Sequence, residues 1–305
     1  MKNIKIIGVT YKNPKVNGYK RCRFVKINRK YSVLMSVYYK ENPEWLRYSI
    51  NSMLNQTIAP SDFVIVEDGK LTDELEKVVL SFEKKYPELF NVVRLEKNSG
   101  LGIALSIGIT KCKYEYVARM DSDDYSYPNR IENQFKIIKK NPKLGLIGTN
   151  VNEFIDSIDN VISYVCLPEK QEQILKFSRT RCPFRHPSLL YKKSEVISAG
   201  NYHNFYLCED YDLYVRMLKN GCQCYNIQEP LVCMRIGKDF YKRRGGIKYL
   251  KTMIKFKNQQ LKDGYFSFGD YVKSSTAHII VCLMPNFIRE YIYKKILRKR
   301  RRKNT

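Results

Sequence analysis

Histidine is scarce in this chain, with three in 305 residues, and nine cysteines do not make up for it as metal ligands. Cys22, Cys112, Cys166, Cys182, Cys208, Cys222, Cys224, Cys233 and Cys282 are odd in number and follow no disulfide-framework spacing. None forms the Cys-x-x-Cys pair of a zinc site, and Cys222-Gln223-Cys224 has too few histidines to complete a soft-metal shell. They read as reduced, packed thiols. Long apolar runs are also missing. A membrane-spanning helix needs roughly 18 to 20 apolar residues, and the best stretch, Ala277 to Met284, is far shorter. The opening Met1-Lys2-Asn3-Ile4-Lys5 lacks the apolar core and cleavage site of a secretory signal, so the folded chain is expected in the cytoplasm. The 44% apolar fraction and 24 tyrosines fit a globular protein.

Negative charge is the remaining shortage: 30 Asp and Glu against 55 Lys and Arg leave a formal net charge of +25. The excess is uneven. From Phe240 to Thr305 there are 18 Lys/Arg and 3 Asp/Glu, ending in the run from Lys294 to Lys303. Basic residues beside the interrupted apolar runs Ile279 to Leu283 and Phe287 to Ile292 suit a helix lying on an anionic membrane leaflet. Nucleic acid is the rival partner, and a solvated tail without a partner is the plain alternative.

Strand and helix signals alternate from Tyr31 onward. Tyr31 to Tyr39 is β-branched and aromatic, and Asn42-Pro43-Glu44 then supplies a cap residue, a first-turn proline and an acid for a helix to about Gln56. Strands are expected at Asp62 to Val66, Asn91 to Leu95, Tyr114 to Met120 and Leu144 to Val151. Helices are expected at Thr72 to Tyr86, Ser99 to Thr110 and Pro128 to Lys140. Such alternation implies right-handed crossovers and a mostly parallel, Rossmann-like sheet with helices on both faces. Residues 1–30 read only as an N-terminal arm, 31–237 as the α/β domain, and 238–305 as a basic helical appendage.

Ligands of such sheets sit beyond the carboxyl ends of the strands. Tyr38 to Glu41, Glu67 to Gly69, Lys97 to Gly100 and Asp121 to Asp124 each follow an expected strand, so all four should open onto one crevice. Asp121, Asp123 and Asp124 are hard oxygen donors suited to Mn²⁺ or Mg²⁺, ions that commonly complete their shell with substrate phosphates. An Asp-rich turn capping the next helix is the bland reading. Asp68 is either a contact for a base or ribose or simply the first residue of an Asp-Gly turn. Gly100 and Gly102 open a helix without completing a phosphate-loop fingerprint. Glu209-Asp210-Tyr211-Asp212 begins a helix ending at Gly221. Acids there either complement the helix dipole or supply a general base, with Asp210 the choice. Arg179, Arg181, Arg185 and Arg235 either neutralise a departing diphosphate or are simply solvated, and His186 reads more readily as a structural histidine than as a ligand; Glu209, His186 and Arg235 are kept as candidate diphosphate or acceptor contacts.

Taken together, Ser32 to Tyr38, Ser52 to Thr57, Val64 to Gly69, Met120 to Asp124 and Glu209 to Leu213 resemble family 2 glycosyltransferases of the GT-A fold. The similarity runs from about Tyr31 to Arg235. It is strongest toward bacterial capsule and exopolysaccharide enzymes of the amylovoran-synthesis type, in which His186-Pro187 and basic C-terminal helices also look typical. The resemblance implies that Val37, Tyr39, Glu41 and Asp68 line the nucleotide pocket, with Gly100 and Arg119 beside them. It implies that Asp121 and Asp123 serve metal and ribose, that Asp124 is a further possible ligand, and that Asp210, next to Glu209, is the base of an inverting reaction. Many relatives carry Asp-Asp-Gly where this chain has Glu67-Asp68-Gly69.

The expected activity is inverting transfer of a hexose from a nucleotide diphosphate sugar, UDP-hexose first, to a glycan or lipid-linked acceptor. The enzyme would sit peripherally on the inner membrane face, with no nucleic-acid partner. A metal-dependent nucleotidyltransferase would need a basic triphosphate loop, and none is evident. A non-enzymatic nucleic-acid-binding protein would leave Glu209-Asp210 unexplained.

Overall fold

The computed structural model describes residues 30–237, 240 and 242–295; the expected arm, apart from Lys30, and the basic run from residue 296 onward lie outside the described residues. In chain order the elements are β1 (Tyr31–Val37), α1 (Pro43–Leu54), β2 (Asp62–Glu67), α2 (Asp73–Lys85), β3 (Phe90–Arg94), α3 (Leu101–Lys111), β4 (Tyr116–Arg119) and β5 (Tyr125–Ser126). They continue with α4 (Arg130–Lys140), β6 (Leu144–Phe154), β7 (Val161–Val165), α5 (Gln171–Ser178), β8 (Leu190–Lys192), α6 (Lys193–Ser198), α7 (Glu209–Lys219) and β9 (Gln223–Arg235). The helices α8 (Gly246–Lys262), α9 (Phe268–Leu283) and α10 (Asn286–Lys295) complete the described residues.

Local chemistry sets the helix starts. Asn42 Oδ1 accepts the Glu44 and Trp45 N–H groups at 2.9 and 3.2 Å, with Pro43 in the first turn where its missing N–H costs nothing. Thr72 caps α2 through the Leu75 N–H at 3.4 Å. Helix α3 opens differently. Gly100 takes a positive φ of 91° and carries no side chain, and the Asp68 carboxylate reaches across from the β2 loop to accept the Ser99 and Gly100 N–H groups at 2.7 and 3.0 Å.

The sheet runs β3-β2-β1-β4-β8-β6-β9-β5, with β7 paired to β6. β3, β2, β1 and β4 are mutually parallel, and β6 is parallel to β9. The expectation of a mostly parallel α/β sheet therefore holds for these strands, whereas β5, β7 and β8 pair antiparallel. The short strand β8 lies antiparallel between β4 and β6, so those two strands are not neighbours.

Alternate strand residues feed two cores, as the two-residue period requires. Val33, Met35, Phe63 and Ile65 face α1, α2 and α4, while Leu34, Val64 and Val66 face α3 and α7. At Gly108 of α3 a Cβ would lie 2.5 Å from Leu34 Cδ1 and 2.7 Å from Val66 Cγ2, so the missing side chain lets that helix sit directly on the sheet. A third cluster joins Tyr211 and Val215 of α7 to Met253 and Phe256 of α8, fastening the C-terminal helices to the α/β body. Arg130 of α4 is fully buried. Its Nη2 donates to the Arg119 and Leu189 carbonyls at 3.0 and 2.8 Å, tying the end of β4 to the start of β8.

Candidate active site

Three loops at the carboxyl end of the parallel strands are bonded to one another. The Asp68 N–H donates to the Val37 carbonyl at 2.8 Å, and Ser122 Oγ donates to Glu41 Oε2 at 2.8 Å. Through its carboxylate Asp68 also holds the 98–100 loop, and Gly69, at φ 84°, sits where a Cβ would be 2.5 Å from the Asn98 nitrogen. The four expected loops thus share one edge, built by hydrogen bonds that only the folded chain reveals.

The acidic loop after β4 rests on buried cations. Arg119, 1% exposed, is ion-paired to Asp121, whose side chain remains 31% exposed. Burial works against the Arg119 charge, but the carboxylate beside it and nearby tyrosines more than offset this, so the guanidinium stays protonated. Asp124 is buried and turned inward, its Oδ1 accepting the Arg235 N–H at 2.7 Å. Arg235 Nε donates to the Asp123 carbonyl at 3.0 Å and Nη1 to the Asp156 carbonyl at 3.1 Å, with its guanidinium 4.2 Å from the Trp45 ring centroid and 4.5 Å from that of Phe154. Burial, then the charges of Asp121 and Glu41, raises the Asp123 carboxyl to about 7. Glu41 is raised for the same first reason, although the Ser122 hydrogen bond opposes it.

Across the cleft stands the N-terminus of α7. Burial raises Asp210, and its Oδ1 accepts the Tyr211 N–H at 2.7 Å. The cations whose fields reach Asp210 are Arg244, Arg185 and Arg119, in that order. Glu209 is raised to about 7 by burial and by Asp210, and it accepts the Cys208 N–H at 3.0 Å. Arg119 therefore pairs with the acidic loop and acts through its charge on Glu209 and Asp210 as well.

Other candidates have different surroundings. Val37 is 1% exposed within the α1/α2 core, whereas Tyr39 is 48% exposed and stacks edge-on with Tyr38. His186 is buried in a short 3-10 turn with Nε2 3.1 Å from the Tyr202 hydroxyl, and burial holds it well below the usual histidine range, hence neutral. Glu67 has a carboxyl pushed up to about 7 by burial, and the Arg94 guanidinium 3.4 Å away opposes the shift. Sequence reading missed Arg243 and Arg244. They were counted only within the basic tail, yet Arg243 bears on Tyr38 and Glu41, and Arg244 on Asp210. The Lys242-Arg243-Arg244 triplet was the available signal.

The donor set suits a divalent cation held by two protein carboxylates. Among the described residues no three His, Cys, Asp or Glu side chains stand in a metal-holding arrangement. Asp124 has an oxygen committed to Arg235, while the Asp121 side chain stays 31% exposed and Asp123 is half-buried. The Asp123 carboxyl is raised first by burial and then by the neighbouring Asp121 and Glu41 charges, and a bound cation would oppose all three effects.

The glycosyl transferase family 2 model matches residues 32–194, from β1 through the start of α6. An Escherichia coli UDP-Gal:alpha-D-GlcNAc-diphosphoundecaprenol beta-1,3-galactosyltransferase is 39% identical over 88% of this chain and 97% of its own length. The chain belongs to glycosyl transferase family 2. It is a glycosyltransferase, as the motif order implied. An amylovoran biosynthesis glycosyltransferase of Erwinia amylovora is 32% identical, covering 87% of this chain and 98% of the relative. Among solved structures, a Pyrobaculum calidifontis mannosyltransferase in complex with GDP-Man and Mn2+ superimposes with a TM-score of 0.57. That match is at 14% identity, over 85% of this chain and 72% of that one, and shows a shared GT-A fold.

Proposed function

We propose that this glycosyltransferase moves a hexose from UDP-hexose to a lipid-linked glycan acceptor, with inversion at the anomeric carbon, during assembly of a surface polysaccharide. The observation that carries the reading is the buried Arg119, ion-paired to Asp121 of the acidic loop while its charge also reaches Asp210, so that carboxylates about 90 residues apart in sequence share one cation. Support for the donor and acceptor classes comes from the galactosyltransferase relative, whose name specifies UDP-Gal and a diphosphoundecaprenol-linked sugar. The enzyme would work from the inner face of the membrane, without nucleic acid as a partner. Among the described residues no helix is long and apolar enough to cross a membrane.

In this reading Asp121 and Asp123 would hold Mn²⁺ or Mg²⁺, and that cation would supply electrostatic stabilisation of the departing diphosphate. Tyr39, Glu41, Asp68 and Gly100 border the nucleotide. Asp210 accepts the proton of the acceptor hydroxyl as its oxygen bonds to the anomeric carbon, and the bond to the diphosphate breaks with its electron pair leaving on UDP. A carboxyl raised by burial is a stronger base than one in water, and the α7 N-terminus steadies the anion before it takes the proton. Arg243, whose charge reaches Tyr38 and Glu41, adds positive charge on the nucleotide side, and Arg244 adds it beside Asp210.

A panel of nucleotide sugars, with a polyprenyl-diphosphate-sugar acceptor and Mn²⁺, tests the reading. UDP-hexose should give a product whose new linkage has the opposite anomeric configuration to the donor. A product of retained configuration, or transfer only from a non-uridine donor, would sink it.

A further inference from the structure

The exposed apolar residues are concentrated at the C-terminal end of the fold. On α9, Phe268, Val272, Ile279 and Leu283 are 72%, 45%, 41% and 60% exposed. Spacings of four, seven and four place them on one helical stripe, and Ile280, 57% exposed, widens it. After Pro285, α10 carries an exposed apolar pair of its own, Phe287 and Tyr291, 73% and 61% exposed and one turn apart. Charge is sparse over this stretch. Between Phe268 and Tyr291 the only charged residues are Asp270, Lys273, Arg289 and Glu290. Arg289 is buried, and Asp270 is engaged with Ser267 at 2.8 Å. Apolar faces of this extent mark interaction sites.

We propose that the α9–α10 face docks on an anionic phospholipid bilayer, with Leu283, Phe287 and Tyr291 entering the interface and the basic residues around them meeting the lipid headgroups. Charge selects this occupant. In the sequence, Lys294, Lys295, Arg298, Lys299, Arg300, Arg301, Arg302 and Lys303 follow within twelve residues of Tyr291. A second copy of this chain would bring two such basic runs together, whereas an anionic leaflet attracts them by about 1 kcal/mol per charge near the surface.

The face is also tied to the cleft. Arg289 donates to the Val281, Cys282 and Met284 carbonyls at 2.8, 3.1 and 2.7 Å, closing the end of α9. Its guanidinium fills the space where a Gly245 Cβ would stand, and Gly245 directly follows Arg244, whose charge reaches Asp210. Docking would therefore hold the base side of the cleft at the lipid surface. This deepens the proposal of a lipid-linked acceptor and rests on it for its purpose, though not for its evidence.

Co-sedimentation of the full-length protein with phosphatidylcholine vesicles, with and without phosphatidylglycerol, tests the inference. The assay reads no sugar transfer, so failure of docking and failure of the proposed reaction are told apart. Binding should require phosphatidylglycerol and weaken with salt. It should fall about tenfold or more in a Leu283→Ser/Phe287→Ser/Tyr291→Ser variant whose thermal unfolding matches the parent, since each substitution removes an apolar side chain from the interface. Deleting residues 296–305 should weaken it as well. Three outcomes overturn the inference: undiminished binding by the triple variant, equal binding to neutral vesicles, or a concentration-dependent dimer of the parent that the triple substitution dissociates while vesicles bind neither protein.

Discussion

Asp124 Oδ1 accepts the backbone N–H of Arg235 at 2.7 Å, and Arg235 Nε returns a bond to the Asp123 carbonyl at 3.0 Å, so residues 111 apart clasp each other at the foot of the acidic loop. The Asp124 side chain therefore faces inward as a fastener. Replacing Asp124 with Ala leaves a buried N–H without its acceptor and should cost about 2 kcal/mol, whereas Asn keeps an acceptor oxygen and should cost less than about 1. Urea denaturation of the two variants measures the difference, and equal losses would show that the clasp contributes nothing.

The same inward turn separates the three aspartates in their response to metal. In calorimetric titration of Mn²⁺ with UDP present, Asp123→Ala should weaken binding about tenfold or more, because a ligand is lost directly. Asp124→Asn should keep binding within about threefold, since its carboxylate serves the fold. If Asn at 124 proved the more damaging, Asp124 would be the ligand and Asp123 the bystander.

For Asp210 the readout is turnover. Asp210→Asn keeps the shape of the side chain and removes its capacity to take a proton, so kcat should fall about 100- to 10,000-fold. The Kd for UDP should stay within about twofold, because the nucleotide loops are fastened to β1, β2 and β4 and not to α7. Near-normal turnover would remove Asp210 from the reaction.

The legible features of this chain are the local ones. Asn42-Pro43-Glu44 announced α1 because a cap, a proline and an acid act within one helical turn, and the alternating strand and helix periods announced the parallel sheet. β8, three residues long, was not legible because its existence depends on pairing with both β4 and β6. Arg130 shows the same limit. A basic residue in an amphipathic helix reads as surface, yet this one is buried because two carbonyls at distant strand ends need a donor. In the site, residue types and their order singled out Asp121, Asp123 and Asp210 as candidates, and the fold sets Arg119 so that it pairs with Asp121 and its charge reaches Asp210. The assignment of Arg235 to a leaving group could not foresee that its guanidinium binds two carbonyls against Trp45 and Phe154. Asp68 likewise binds the backbone that opens α3, a use that no reading of an Asp-Gly turn contains.

Between α8 and α9 lies a pair that makes stability depend on pH. Lys257 is fully buried, and its Nζ bonds to the Ser274 carbonyl and to His278 Nδ1, the latter at 2.8 Å. Burial lowers Lys257 to about 8, while burial and the Lys257 charge lower His278 to about 4. Both are bases whose folded values lie below their unfolded ones, so the unfolded chain binds more protons in each interval and stability rises with pH there. The first interval runs from about 4 to about 6.5 through His278, the second from about 8 to about 10.4 through Lys257. Urea unfolding across the alkaline interval should show the parent gaining about 2 to 3 kcal/mol relative to Lys257→Met, which has no proton to lose. The variant should also be less acid-sensitive between pH 6.5 and 4, because His278 is freed of its cationic neighbour. A parent that loses stability relative to Lys257→Met as pH rises above 8 would mean that the buried ammonium is favoured by its surroundings, contrary to the desolvation on which this argument depends.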